Sequence, residues 1–282
     1  MGQTYNGEAI RNFYNNYGEK EWVRLDLTPY DRINFHLHMK LLQEHIGEGK
    51  KVLDAGCGAG RFSIEIARAG SEVTLFDISD EQLRIAEEKI KESGLTSKID
   101  KIVRGDLREL SSFEDNTFDT VVCYGAPLNY LLENRQKAVD ELTRVTKKGG
   151  TILLSVNSKW GVIRNQLGKA DFDYVSFFGQ PDYWFINEVA ETGDLPVHEM
   201  VNHPSRHFFE AEELEEVMKK AGIENIQIGG SPCLTSAFRE PAEKLAVDST
   251  AWETIIKLEE QAFMKRTMAD NGEFIIAKGI KL

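Results

Sequence analysis

Residues 52–61 read VLDAGCGAGR: three glycines at alternate positions, Gly56, Gly58 and Gly60, follow an apolar run that ends in Asp54. A glycine-rich turn after a strand lets a ligand approach the backbone closely, and its usual guest is a phosphate at a helix N-terminus. Two features argue against phosphate here. The dinucleotide spacing G-x-G-x-x-G needs a third glycine where Arg61 stands. A pyrophosphate would also lie beside the like charge of Asp54. The turn suits a ligand that brings a cation close to the backbone amides. A second acid, Asp77, ends the next apolar run, where a carboxylate can accept both hydroxyls of a ribose.

S-adenosylmethionine meets these demands. Its ammonium and sulfonium would be attracted by Asp54, directly or through water, while Gly56, Gly58 and Gly60 let the backbone approach the methionyl chain. Cys57, inside the turn, would serve through its backbone. Asp77 would hold the ribose, and Ile78 would face the adenine.

The elements that must position these residues follow from periodicity. From Lys51 onward short β-branched runs alternate with amphipathic helical patterns, which predicts a parallel sheet covered by helices. KVLDAG, EVTLFDI, KIVRGD, FDTVVCYG, TILLSV, IENIQIG and GEFIIAKGI are seven expected strands. Ser79 with Gln82 forms a capping box before the stripe Leu83, Ala86 and Ile90, a helix expected to end at Gly94. Thr28, Pro29 and Asp31 start a helix that precedes the first strand and carries Ile33, Leu37 and Leu41 toward Gly47. Residues 158–209 hold ten of the chain's 27 aromatics, among them Trp160, Phe177, Phe178, Tyr183, Trp184 and Phe185. That density predicts a lid or a small satellite core. The expected organisation is a helical cover (1–50), a cofactor-binding α/β core (51–157), the aromatic insertion (158–209) and a segment that completes the core (210–282).

On these motifs the chain resembles the class I S-adenosylmethionine-dependent methyltransferases. VLDAGCGAG is similar to their first motif, Asp77 to their ribose-binding acid, GDL at 105–107 to their adenine-contacting turn, and FDTVVCYG to their fourth strand. The resemblance implies a doubly wound, Rossmann-like, seven-stranded and mostly parallel sheet with the last strand antiparallel. It implies that Asp106 bonds the adenine amino group and that Leu107 packs beside it. Small-molecule members, such as the glycine N-methyltransferase-like enzymes, carry a tryptophan and an arginine on amino-terminal helices over the methionyl end. Trp22 and Arg32 stand at similar distances before the turn, with Arg24 competing for the arginine's role.

Methyl transfer from a sulfonium mainly requires alignment of the acceptor and exclusion of water, and a general base is optional. The acceptor site is expected above the fourth strand, where CYGAPLNYL supplies Tyr124, Asn129 and Tyr130, with Tyr124 also beside the cofactor. Among six histidines, His36, His38 and His45 read as surface or interface residues, and His207 is the candidate base.

Composition narrows the class further. The formal charge of −12 repels phosphate backbones, and APLNY departs from the N-P-P-Y pattern of nucleic-acid amino-methyltransferases. Hydrophobic residues at 41% and charged residues at 28% exclude bulk disorder. Three scattered cysteines form neither a disulfide framework nor a zinc pattern. A cytoplasmic enzyme is expected, monomeric or homodimeric, with no membrane span, no bound metal and a small-molecule acceptor. An RNA or protein acceptor, a non-catalytic cofactor sensor and a nicotinamide oxidoreductase are the competing readings, the last weakened by Arg61.

Overall fold

The computed structural model describes residues 4–167, 184–197 and 203–282. Phe177, Phe178 and Tyr183 of the aromatic insertion lie outside the described residues.

The strands in chain order are β1 (Lys51–Ala55), β2 (Glu72–Asp77), β3 (Ile99–Arg104), β4 (Phe118–Cys123), β5 (Thr146–Asn157), β6 (Asp194–Leu195), β7 (Arg206–His207), β8 (Ile223–Ser231) and β9 (Phe274–Lys281). Seven of them form one sheet in the order β3-β2-β1-β4-β5-β9-β8, and β6 pairs with β7 apart from it. Pairing is parallel from β3 to β5. The last strand, β9, is antiparallel to both β5 and β8 and lies between them. Chain order reverses across β1 and β4, and such a switch point opens a crevice at the carboxyl ends of the strands.

Because neighbouring strand residues face opposite sides, the continuous apolar runs feed two cores. Leu53, Phe76, Val121 and Leu154 join the core on one face. Val52, Leu75, Val122 and Leu153 join the other, which is closed by Ile33 and Leu37 of the amino-terminal helix and by Phe62.

Local chemistry sets the helices. α1 (Gly7–Tyr17), α2 (Lys20–Val23) and α3 (Pro29–Leu42) precede β1. α3 starts at a full capping box: the Asp31 amide donates to Thr28 Oγ1 at 3.2 Å, and the Thr28 amide donates to Asp31 Oδ2 at 3.1 Å. After α4 (Arg61–Arg68), α5 (Asp80–Glu92) shows only half of the expected box. The Gln82 amide donates to Ser79 Oγ at 3.2 Å, but the Gln82 side chain turns away to donate to the carbonyls of Tyr14 and Gly18. α6 (Arg135–Val145) feeds β5 directly, so the Lys147–Gly150 stretch belongs to a strand rather than a turn.

The sequence expectation passes over α1, α2 and the two helices Arg239–Leu245 and Ser249–Ala262 that separate β8 from β9. In the insertion, α7 (Lys159–Leu167), the helix Trp184–Thr192 and the β6–β7 pair enclose a small core of Val189, Leu195 and Phe208. Among the described residues no helix is long and apolar enough to cross a membrane.

Candidate functional site

The glycine turn leaves β1 at the switch point and curls over the end of β2. The amides of Gly56 and Cys57 both donate to the Phe76 carbonyl, at 2.7 and 3.1 Å. Gly56, Gly58 and Gly60 adopt φ of 78°, 52° and 81°, the left-handed region that glycine enters without strain. Each also makes a close approach. A Cβ on Gly56 would strike the Pro127 ring, and one on Gly60 would press on Ala86 at 3.0 Å. A Cβ on Gly58 would fill the cradle beside Glu21, 3.2 Å from its Cγ.

A cavity opens over this turn. Gly56, Gly58, Asp77, Ile78, Asp106 and Leu107 form its floor and one end. Tyr124, Gly125, Pro127 and Tyr130 form the wall beyond β4. The roof comes from the amino-terminal segment, through Tyr5, Ile10, Tyr14, Glu21 and Arg24.

Asp77 is buried, and its two oxygens accept from either side: the Gly58 amide reaches Oδ2 at 2.9 Å and the Ser79 amide reaches Oδ1 at 2.8 Å. Burial pushes its pKa up to about 6 against the pull of those amides. Asp106, at the other carboxylate position, takes the Tyr5 hydroxyl on Oδ2 at 2.6 Å and the Arg108 guanidinium on both oxygens. Burial pushes Asp106 up, but the bonds from Arg108 and Tyr5 outweigh it and hold the carboxyl below its ordinary range. The Arg108 guanidinium lies 3.8 Å above the Tyr5 ring. At the far end Arg24 Nε donates to Glu21 Oε1 at 2.6 Å, an ion pair on the cavity wall.

Together the cavity offers carboxylates for hydroxyls and an amino group, apolar faces for a base, glycine backbone for an extended chain and one charge of each sign for an amino acid end. That set fits S-adenosylmethionine.

Several expected site residues stand elsewhere. Asp54 is buried under the turn and receives the Ser63 hydroxyl at 2.5 Å on Oδ2, so it does not face the cavity. Burial, only partly opposed by Ser63, raises its pKa to about 7, which weakens the attraction argued from its charge. The Cys57 amide is spent on Phe76, and Gly60 serves the packing of α4 on α5; neither lines the cavity.

Trp22 is clasped between cations, 4.8 Å from Arg61 and 5.5 Å from Lys89, and props α2 rather than touching the cavity. Arg32 stacks at 5.6 Å over Trp252 in a separate groove, because α3 turns that face toward the helix Ser249–Ala262. Arg24 occupies the position expected of Arg32. Asn129 is fully buried: its Oδ1 takes the Asn157 amide at 3.0 Å and its Nδ2 donates to the His207 carbonyl. It therefore ties β5 to β7 and does not reach the cavity. Tyr130 does line it and shares a hydrogen bond with Tyr14, the hydroxyl oxygens 3.1 Å apart.

His207 is not free to act as a base. Its Nδ1 lies 2.7 Å from Asp194 Oδ1 and its Nε2 lies 2.8 Å from Glu213 Oε2. Two carboxylates can only accept, so the ring donates from both nitrogens. Burial lowers its pKa, but the two partners outweigh that and leave it raised. A raised folded pKa stabilises fully below the unfolded value of about 6.5 and is lost as pH rises through the folded value. His207→Gln is accordingly expected to destabilise more at about pH 6 than at about pH 9. Urea unfolding at both pH values checks this, and an equal loss at both would contradict the ionic clamp.

Tyr5, Tyr14, Glu21 and Arg24 are cavity residues that sequence reasoning missed or left open. For Tyr14, Glu21 and Arg24 the signal was the aromatic and charged run NFYNNYGEKEWVR, whose helical break at Gly18 hides its periodicity. From the insertion, no described residue lines the cavity; it meets the outer side of α1, where Phe13 and His203 rings lie 4.4 Å apart.

Comparison with known proteins bears on the family and the fold. Residues 52–150 match the family described as Methyltransferase domain. The chain is 30% identical over 185 residues to the ubiquinone/menaquinone biosynthesis C-methyltransferase UbiE of Idiomarina loihiensis, covering 64% of this chain and 69% of that one. It is 29% identical over 213 residues to the demethylmenaquinone methyltransferase of Anoxybacillus flavithermus, covering 71% and 84%. A crystal structure of a SAM-dependent methyltransferase from Thermotoga maritima shares the fold with a TM-score of 0.57 at 17% identity, covering 97% of this chain and all of that one. The chain belongs to the class I S-adenosylmethionine-dependent methyltransferases. Its methyl donor is S-adenosylmethionine.

Proposed function

We propose that this enzyme methylates a small-molecule acceptor, inside a cavity that its own amino-terminal segment roofs. The observation that carries this reading is the roof: Tyr5, Ile10, Tyr14, Glu21 and Arg24 close over the glycine turn and Asp77, a shape that favours small guests over polymers. The similarity to a ubiquinone/menaquinone biosynthesis C-methyltransferase and to a demethylmenaquinone methyltransferase supports the same class of acceptor.

When bound, S-adenosylmethionine supplies a sulfonium methyl to a nucleophile in line with the carbon–sulfur bond. The residues bind and orient. Asp77 accepts the ribose hydroxyls; Ile78 and Leu107 flank the adenine, with Asp106 at its amino group. Gly56 and Gly58 pass the methionyl chain, whose carboxylate falls to Arg24 and whose ammonium falls to Glu21. Tyr124, Tyr130 and Tyr14 shape the acceptor side and exclude water. Residues 51–157 and 210–282 act as the core, the described residues of 1–50 as the inner cover, and the described residues of 158–209 as an outer brace on α1.

Release of S-adenosylhomocysteine in the presence of a small-molecule panel of hydroxylated aromatics and amines tests the proposal. Turnover with a panel member is the expected result. Turnover only with RNA or protein would overturn it, as would tight cofactor binding with no methylated product from any acceptor class.

A further inference from the structure

Behind the Tyr124 wall stands a second, unused polar centre. His38 of α3 is 2% exposed, and its Nδ1 lies 2.9 Å from the Asn34 carbonyl oxygen. A carbonyl only accepts, so Nδ1 carries the proton and Nε2 holds a bare lone pair. Ser231 fixes the same tautomer: its hydroxyl donates to Asn34 Oδ1 at 2.8 Å and turns its oxygen toward Nδ1 at 3.4 Å. Among the described residues Nε2 has no hydrogen-bond partner, and neither does the hydroxyl of Tyr124, itself 3% exposed. The two rings meet edge to face, 4.9 Å apart at 87°. Phe62 and Phe274 complete the shell around His38. Among the described residues Arg24 is the charged group that acts on it.

Buried polar atoms in native proteins almost always have partners, and two adjacent exceptions beside a cavity call for a ligand group that completes them. We infer that His38 and Tyr124 form the polar end of the acceptor site, for an acceptor that carries an acidic hydroxyl, with His38 Nε2 as the proton acceptor. The inference rests on the small-molecule reading above. Tyr124 lines the cavity and His38 packs behind its ring, so this role requires the Tyr124 ring to turn aside for the acceptor hydroxyl to reach Nε2, with the Tyr124 hydroxyl then donating to the acceptor oxygen.

The step balances without another reactant. The acceptor O–H bond breaks and its proton passes to Nε2, giving an imidazolium. An oxygen lone pair, or the ring carbon conjugated with it, forms the bond to the methyl carbon. The carbon–sulfur bond breaks, and its electron pair stays on sulfur as a thioether. Burial first, with Arg24 assisting, holds the His38 pKa down at about 4, so the lone pair is present at neutral pH; so weak a base takes the proton only as the bond to the methyl carbon forms and makes the hydroxyl strongly acidic, and the imidazolium gives the proton up readily afterward.

Para-nitrophenol, an acidic phenol whose colour changes on ionisation, is the probe. It is titrated into the protein saturated with S-adenosylhomocysteine, with the absorbance of the probe and the ring-nitrogen shift of His38 followed together. We expect the probe to bind, the Nε2 resonance to move to a hydrogen-bonded value, and His38→Phe, which keeps a ring in the space, to weaken the probe about tenfold or more. S-adenosylhomocysteine affinity of His38→Phe stays within about twofold, which also shows that the variant is folded. Probe binding with an unmoved Nε2 resonance, equal probe affinity in His38→Phe, or no probe binding by a protein that holds S-adenosylhomocysteine would each overturn the inference. Should His38→Phe lose S-adenosylhomocysteine, the wild-type nitrogen shift alone decides. Failure of the wild-type protein to bind S-adenosylhomocysteine would instead strike the reading on which the inference rests.

Discussion

Asp77→Ala is expected to weaken S-adenosylhomocysteine binding by about 2 to 4 kcal/mol, the loss of two charge-assisted hydrogen bonds with partial rescue by water. That is a fall in affinity of roughly 30- to 1,000-fold. The substitution has a second effect, because the same carboxylate takes the amides of Gly58 and Ser79 and so sets the turn relative to α5. Asp77→Asn shifts the balance between the two effects. It keeps an oxygen for one amide but sets its NH2 against the other N–H, so the turn is loosened less than in Asp77→Ala while the charge is lost in full. Calorimetry on both variants, with circular dichroism to confirm folding, gives the answer. Unchanged affinity in a folded Asp77→Ala would remove the carboxylate from the ribose site.

The largest effect on stability is expected from a residue far from that site. Glu259 is fully buried on the helix Ser249–Ala262, and its carboxylate collects the amides of Cys233, Leu234 and Thr235 and the Thr235 hydroxyl, at 2.7 to 3.1 Å. It thereby binds the loop after β8 to the helix that precedes β9. Glu259→Ala strands three N–H groups at once, those of Cys233 and Thr235 in buried residues, and the expected loss is about 3 to 5 kcal/mol of unfolding free energy. The urea midpoint should fall with an unchanged slope. A loss below about 1 kcal/mol would mean that water or a shifted loop takes over the carboxylate's bonds.

Glu259 also marks a boundary of what the sequence discloses. Strand runs such as VLDA and TVVC are apolar on both faces because both faces of the sheet are covered, so their positions and their parallel pairing are legible. Asp77 and the glycine turn are legible for a related reason: local backbone chemistry, rather than distant contacts, requires those residue types. Distant contacts decide the rest. Nothing local tells Arg24 from Arg32, since the choice depends on which face of α3 meets Trp252. His207 looks like a free base until Asp194 and Glu213 arrive from other elements. His38 looks like a surface histidine because His36, on the same helix, is one; only the packing of β8, β9 and α4 buries His38. The helices between β8 and β9 have a readable cap at Asp248 but are amphipathic only in part, with Leu258 left exposed on the second and Val247 exposed in the turn between them.

A crystal structure of the protein with S-adenosylhomocysteine tests the account most directly. The predicted result has the ribose hydroxyls on Asp77, the adenine between Ile78 and Leu107 with its amino group at Asp106, the amino acid carboxylate on Arg24, and the sulfur facing Tyr124 under the α1–α2 roof. A ligand whose carboxylate sits on Arg32, or one bound outside the cavity over the glycine turn, would contradict it.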